Sequence, residues 1–170
     1  MMRVYVGIGS NIDRENSLRG GLRDLAASFG ALTLSTVYQT RAVGFEGADF
    51  FNLMVGFDTY LPARDIARLL REVEYRHGRE TDMHGPSSRR LDLDLLLYGY
   101  QVIDTGGLHL PRVDIEKYPF VLAPLAEIAP DACHPVLGRS FAEMWAAFDK
   151  QDLDMEPAMF EATATTTGMT

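Results

Sequence analysis

The order of apolar patterns along the chain is the feature that most restricts its fold. Alternating apolar residues predict strands at residues 3–8, 31–40, 50–60 and 90–98. Apolar residues at helical spacing predict one helix after the first strand and a second helix that begins at Pro62. This β-α-β-β-α-β order predicts an α+β, ferredoxin-like fold, in which an antiparallel sheet carries both helices on one face.

Further elements are predicted after the fourth strand. Residues 99–111 indicate a short hairpin and residues 120–128 a short helix. Ser140 and Glu143 form a capping box before a last helix. We therefore expect a single domain over residues 1–150.

The remaining segment, residues 151–170, differs from the rest in composition. It contains four acidic residues and no lysine or arginine, and it ends in the low-complexity run EATATTTGMT. Such a composition offers little apolar surface to bury, so we predict that this acidic tail is disordered.

Composition and charge exclude several classes of protein. The 170 residues are 46% hydrophobic and 24% charged, which is typical of a soluble globular protein. No apolar run is long enough for a membrane span, and the N-terminus lacks the pattern of a signal peptide. With Cys133 as the single cysteine, the chain fits a reducing cytoplasm. A net charge of −8 argues against nucleic-acid binding, so a bound phosphate needs a local group of arginines or a metal.

The segment RRLDLDLLLYG, residues 89–99, places Asp92 and Asp94 two positions apart in a predicted strand. Side chains alternate along a strand, so both carboxylates point to one face, roughly 6.5–7 Å apart. The surrounding leucines favour a central position in the sheet, where the two charges would repel unless one is protonated or a cation lies between them. Mg²⁺ takes one or two carboxylates together with substrate phosphates. The alternative is two solvated carboxylates on a polar strand face.

Four motifs occur in a fixed order. They are GSN after the first strand, ExxxGR at residues 74–79, RxLDLDLLLYG at residues 89–99, and LP…F.L.PL.EIAP at residues 110–130. As a set they resemble 6-hydroxymethyl-7,8-dihydropterin pyrophosphokinase of folate synthesis, and the resemblance covers about residues 3–150. It implies the same ferredoxin-like fold.

The resemblance also implies a reaction and its ligands. The β,γ-pyrophosphoryl group of ATP is transferred to the hydroxymethyl oxygen of the pterin, which releases AMP, and two Mg²⁺ ions are held by the aspartates that match Asp92 and Asp94. The implied partners are small molecules, the pterin and ATP, without nucleic acid or membrane. We expect a cytoplasmic monomer or weak dimer.

Other family positions match single residues of this chain. Arg79 and Arg89 match two arginines that we expect to be catalytic, because a guanidinium binds phosphate oxygens bidentately and stays charged. Such groups stabilise the charge that shifts during phosphoryl transfer. Glu74 matches an acidic residue near the nucleotide, although it also fits an ordinary charge on a helix surface.

The resemblance implies a pterin site as well. Asn52 matches an asparagine whose amide reads the pterin edge, since an amide offers both a donor and an acceptor. Phe120 matches the aromatic residue that stacks on the pterin ring. Phe50 occupies the position of a pterin-site tyrosine, and Thr40 and Val43 line the same loop. Two alternatives stay open: Asn52 as the cap of a turn, and Phe120 as a plain core residue.

The loop before the aspartates departs from the family pattern RxRxxxRWGPR. Residues 79–89 read RETDMHGPSSR, which has the same length. Thr81 stands in place of the second arginine, Gly85 in place of the third, and Pro86 in place of the tryptophan that covers the pterin. A loop with fewer arginines should close less tightly over the triphosphate.

A second departure affects two residues that usually contact ATP. Arg112 replaces a histidine, which keeps a donor, so we expect it to bind nucleotide phosphate. Tyr118 replaces an arginine and so removes a cation. We therefore predict lower turnover or weaker ATP affinity than in typical members.

Two other hypotheses are a paralogue that acts on a modified pterin and a non-catalytic pterin-binding module, although the intact aspartates argue against the module.

Overall fold

A computed structural model describes residues 1–79 and 87–160 of the chain. Within these residues the strands are β1 Met2–Ser10, β2 Thr33–Leu34, β3 Tyr38–Thr40, β4 Phe50–Thr59, β5 Asp92–Tyr98, β6 Ile103–Thr105, β7 Leu108–Leu110 and β8 Met155–Pro157. The helices are α1 Arg14–Phe29, α2 Ala63–Arg76, α3 Asp114–Lys117, α4 Pro119–Ile128 and α5 Phe141–Ala147. None of these helices combines the length and the apolar character needed to cross a membrane.

The main sheet has the strand order β5-β1-β4-β3-β8, and β2 pairs with the far end of β4. Every pairing in it is antiparallel. The order of the four strands that belong to the β-α-β-β-α-β unit, β5-β1-β4-β3, is that of a ferredoxin-like fold, so the predicted fold class is confirmed. Strands β6 and β7 form the predicted hairpin as a separate two-stranded sheet.

Helices cover both faces of the sheet. One apolar cluster joins α1 and α2 to the sheet and includes Leu22 and Ile66. A second cluster lies on the opposite face, where α3, α4 and α5 pack through residues such as Ile115, Leu122 and Phe141. The two helices of the β-α-β-β-α-β unit therefore share one face as predicted, and the extra C-terminal helices bury the other.

The predicted strand over residues 31–40 is interrupted. It divides into β2 and β3 at residues 35 and 36, where side chains replace part of the backbone ladder, although the Ser35 N–H still donates to the Met54 carbonyl of β4 at 2.9 Å. The Ser35 hydroxyl accepts a hydrogen bond from the Met54 N–H at 2.8 Å. The Thr36 N–H donates to the Glu127 carboxylate of α4, also at 2.8 Å, so it is not available to a strand ladder.

The prediction that the strand with the two aspartates is central was wrong. Among the described strands β5 pairs with β1 alone and lies at the end of the sheet. Its leucines are buried because helices cover both faces: Leu93 belongs to the cluster under α1 and α2, and Leu96 to the cluster under α4. The backbone N–H of Arg112 donates to the Leu96 carbonyl at 3.1 Å, which occupies part of the open edge.

The prediction of a disordered tail was wrong for its first half. Strand β8 pairs with β3 at the edge of the sheet, and the Ala158 N–H donates to the Val37 carbonyl at 2.8 Å. Phe160 is buried and stacks on Phe51, with the ring centroids 5.7 Å apart. The edge of β3 and the Phe51 ring offer partners that composition does not reveal. Residues 161–170 lie outside the described residues.

Candidate active site

A cavity of about 620 Å³ opens at one end of β1, β4 and β5 and brings together most of the predicted site residues. We call one side of it the amide wall, formed by Thr40, Val43, Phe50, Asn52 and Phe120. A second group of lining residues, the charged wall, is formed by Arg79, Arg89, Asp92, Asp94 and Arg112.

The amide wall is built on two neighbouring strands. Asn52 lies within β4, not at a turn, and its side-chain N–H donates to the Thr40 hydroxyl on β3 at 2.7 Å. Thr40 is itself buried. On the other side of β4, Gly9 of β1 pairs with Asn52. A Cβ atom added at Gly9 would lie 2.9 Å from the side-chain oxygen Oδ1 of Asn52. The amide therefore occupies space that only a glycine neighbour leaves open.

Aromatic rings border this amide. The Phe50 ring meets the Phe45 ring edge to face, with the centroids 6.2 Å apart. The Phe120 ring, near the start of α4, stacks on the Tyr118 ring at 4.9 Å and an angle of 22°. Val43 is about half exposed at the rim. The amide wall can thus bind a flat heterocycle by stacking and by hydrogen bonds to its edge.

The two predicted metal ligands lie opposite glycines. Asp92 pairs with Gly9 and Asp94 with Gly7 across the β5–β1 ladder, so the paired residues of β1 place no side chain beside the carboxylates. Burial, together with the charge of Asp92, raises the pKa of Asp94 to about 8. A divalent cation between the two carboxylates would relieve this repulsion.

Glu74 lies behind the charged wall. Its carboxylate is buried, with 2% of the side chain exposed, and it accepts hydrogen bonds from Arg79 at 3.0 Å and from the Leu93 N–H at 3.1 Å. Its other oxygen lies 3.3 Å from the guanidinium of Arg71. Burial raises the pKa of Glu74, and the Leu93 amide and both guanidinium groups oppose that rise. The structure therefore places Glu74 where it orients two arginines of the cavity and β5, not among the residues that line the cavity.

Asn11, the last residue of the GSN motif, fixes the approach to β5. Its side-chain oxygen accepts from the Arg89 N–H at 2.8 Å, and its own N–H donates to the Arg89 carbonyl at 3.0 Å. Its side-chain N–H group donates to the Ala48 carbonyl at 3.0 Å and to the Ser88 hydroxyl at 3.1 Å. Asn11 thus joins the loop that precedes β4 to the segment that carries Arg89. Its position in GSN was the only sequence signal of this role.

Four charged lining residues were not predicted from the sequence. They are Arg41, Arg71, Asp114 and Lys117. Asp114 lies 3.4 Å from the guanidinium of Arg112. Of the described lining residues, six are arginine or lysine and three are aspartate, whereas the whole chain carries a net charge of −8. The cavity therefore concentrates positive charge in an acidic protein, which favours an anionic ligand.

The protein side chains at this site could bind Mg²⁺ only together with the phosphates of a bound ligand. Residues 1–79 and 87–160 contain no group of three or more His, Cys, Asp or Glu side chains arranged to hold a metal. Asp92 and Asp94 nevertheless provide two oxygen-donor groups on one face of β5. Mg²⁺ is commonly held by one or two carboxylates, with phosphates and water as its other ligands.

Three predicted departures, Thr81, Gly85 and Pro86, lie outside the described residues.

Comparison with known proteins identifies the family. The family model described as 7,8-dihydro-6-hydroxymethylpterin-pyrophosphokinase (HPPK) matches residues 5–130. The chain belongs to the HPPK family. The 2-amino-4-hydroxy-6-hydroxymethyldihydropteridine pyrophosphokinase of Aquifex aeolicus (strain VF5) is 35% identical over 146 residues, which cover 84% of this chain and 90% of that protein. The enzyme of the same name from Bacillus subtilis (strain 168) is 38% identical over 130 residues, covering 74% of this chain and 77% of that protein.

Solved structures support the fold independently. A crystal structure of Plasmodium falciparum HPPK-DHPS with pteroate matches with a TM-score of 0.70 at 12% identity. The match covers 85% of this chain and 42% of that one, so the HPPK-family chain spans less than half of the larger protein. At this identity the likeness concerns the fold alone.

Proposed function

We propose that this HPPK-family protein transfers the pyrophosphoryl group of ATP to 6-hydroxymethyl-7,8-dihydropterin. The hydroxymethyl oxygen attacks the β-phosphorus, the bond between that phosphorus and the α,β-bridging oxygen breaks, and AMP leaves with that oxygen. The hydroxyl proton passes to water, and the pterin carries the new diphosphate. The proposal depends on one observation: the residues of the amide wall and those of the charged wall line the same cavity.

The amide wall supports binding of the pterin. One N–H of the Asn52 amide is donated to Thr40, and in our proposal the second N–H and the side-chain oxygen bind the pterin edge as a donor and an acceptor. Phe50 and Phe120 border the amide, and in our proposal their rings contact the faces of the pterin. Val43 lies at the rim, where it would exclude water from the bound ring.

The charged wall supports binding of the triphosphate. In our proposal Asp92 and Asp94 would hold two Mg²⁺ ions, which would supply positive charge to offset that of the phosphates. Arg79, Arg89 and Arg112 donate to the phosphate oxygens and stabilise the charge that moves to the leaving AMP. Glu74 acts indirectly, because its buried carboxylate sets the position of Arg79.

The reaction can be tested with purified protein, MgCl₂, ATP and 6-hydroxymethyl-7,8-dihydropterin, with AMP followed by chromatography. We expect AMP that requires both the pterin and the metal, and none from an Asp92→Ala variant. AMP formed equally well without pterin would contradict the proposal. Pterin binding by calorimetry without any AMP would favour the non-catalytic binding module instead.

The choice of pterin needs a separate test, because the loop departures motivated a paralogue with another substrate. A panel of pterins should give the highest kcat/KM with the 6-hydroxymethyl-7,8-dihydro compound. A modified pterin that reacts much faster would support the paralogue. Size-exclusion chromatography of the same sample, with static light scattering, tests the proposed monomer or weak dimer.

A further inference from the structure

The cations of the cavity differ in whether a carboxylate of the protein already neutralises them. Four arginines that line the cavity each lie within ion-pair distance of a carboxylate. These pairs are Arg41–Asp154 at 2.9 Å, Arg71–Glu74 at 3.3 Å, Arg79–Glu74 at 3.0 Å and Arg112–Asp114 at 3.4 Å. Arg89 is buried and is also engaged by the protein.

Lys117 is the exception among these lining residues. It has no carboxylate of the described residues within the 4.0 Å of an ion pair, so the charge of its ammonium group is not compensated locally. It is the last residue of α3, and its ammonium nitrogen lies 5.1 Å from the centroid of the Tyr118 ring. That ring stacks in turn on Phe120 of the amide wall. The cation–π contact thus holds an available positive charge at the cavity.

The neighbouring position explains why this charge matters. The family resemblance implies an arginine at residue 118, where this chain has tyrosine, so a cation is missing from the nucleotide side. We propose that Lys117 binds the polyphosphate of the nucleotide and supplies the charge that Tyr118 lacks. The inference rests on the proposed function. An ammonium group is a compact cation with three donors, which suits a phosphate oxygen.

Lys117 and Lys150 are the only lysines of the chain, so a lysine-specific reagent can compare the two directly. Lys150 has the same type of contact, with its ammonium nitrogen 4.6 Å from the Trp145 ring centroid, but it does not line the cavity. Acetylation of the native protein with acetic anhydride, followed by peptide mass spectrometry, reports both lysines in one sample. We expect saturating Mg-ATP or inorganic triphosphate to slow acetylation of Lys117 at least about fivefold and to leave Lys150 unchanged.

The labelling result is independent of turnover. Equal acetylation of Lys117 with and without the polyphosphate would overturn the inference. Protection of Lys117 in a protein that makes no AMP would contradict the proposed reaction but support the phosphate contact. Equal protection of both lysines would indicate a nonspecific effect of the anion and would also overturn the inference that Lys117 binds the polyphosphate.

Substitution provides a second test. Lys117→Gln should raise the Kd for Mg-ATP, measured by calorimetry, and the KM for ATP about tenfold, because one charge-assisted contact is lost. The Kd for the pterin should stay within about twofold, and Lys117→Arg should restore most of the ATP affinity. Lys150→Gln is the matched control. An unchanged ATP affinity in Lys117→Gln, or an equal loss in Lys150→Gln, would show that the site does not use this residue.

Discussion

The two walls of the cavity are positioned by different means. In the amide wall, Asn52 and Thr40 lie on neighbouring strands of the sheet and are joined by one neutral hydrogen bond of 2.7 Å. Behind the charged wall, Glu74 is a buried carboxylate that holds two guanidinium groups and a backbone N–H. The register of the sheet orients the neutral groups, whereas a buried counter-charge is needed to keep cations in place.

This difference implies that the two walls can be damaged separately. A neutral donor and acceptor need a rigid frame and little electrostatic compensation. Closely spaced arginines repel one another, and their arrangement depends on the carboxylate between them. Substitutions in one wall should therefore change the affinity for one substrate and spare the other.

The largest effect is expected from Asp94→Asn. The change keeps the shape of the side chain but removes a charge that a metal needs, so AMP formation should fall at least about 100-fold. Pterin binding, measured by calorimetry without nucleotide, should be retained. Asp104→Asn, which changes an exposed carboxylate on β6, is the control. Loss of pterin binding in Asp94→Asn would show that the two walls are not independent.

The amide wall is tested by Asn52→Ala. Loss of both amide hydrogen bonds to the pterin edge should raise the pterin Kd about 30-fold, because each neutral bond contributes about 1 kcal/mol. The Kd for Mg-ATP should not change. Asn16→Ala removes an exposed amide of α1 and should leave both affinities as they are in the wild type. A larger loss of ATP affinity than of pterin affinity would contradict the assignment of the walls.

The buried counter-charge is tested by Glu74→Gln. Glutamine keeps an acceptor for the Leu93 N–H but leaves two guanidinium groups without their anion, so the free energy of unfolding should fall by about 2 kcal/mol. Turnover should fall about tenfold through misplacement of Arg79, with the pterin Kd unchanged. Glu72→Gln, on the exposed face of the same helix, is the control. Wild-type turnover in a folded Glu74→Gln protein would exclude an orienting role.

The smallest effect on function is expected from Phe160→Ala. Loss of the stacked ring should lower the free energy of unfolding by about 2 kcal/mol, less than at an internal core site because the chain end can rearrange. Since β8 supports β3, the pterin Kd should rise about twofold and the ATP Kd should not. Met159→Ala, at a fully exposed neighbour, is the control. Equal urea midpoints for the two variants would mean that the Phe160 contact contributes nothing to stability.

Much of the fold was predictable from local patterns. The β-α-β-β-α-β order gave the ferredoxin-like arrangement, Pro62 marked the start of α2, and the Ser140 cap accepts from the Glu143 N–H at 3.1 Å as predicted. These features depend on residues close to one another in the chain. The interruption between β2 and β3 depends on Glu127, which lies 91 residues from Thr36 in the sequence.

The sequence by itself determined the chemistry available to the cavity. It supplied the paired aspartates, the arginines, the amide and the aromatic residues, and the motif spacing that indicates the HPPK family. Side-chain chemistry and alternation along a strand are local properties, so they can be read without a structure.

Only the tertiary structure decided which groups act directly and which orient others. Glu74 lies beneath the cavity, Asn11 joins two distant loops, β5 lies at an edge, and the acidic tail adds a strand. The structure also distinguished Lys117 from the neutralised arginines around it. Burial and charge compensation depend on partners that are distant in sequence, and only the folded chain brings those partners together.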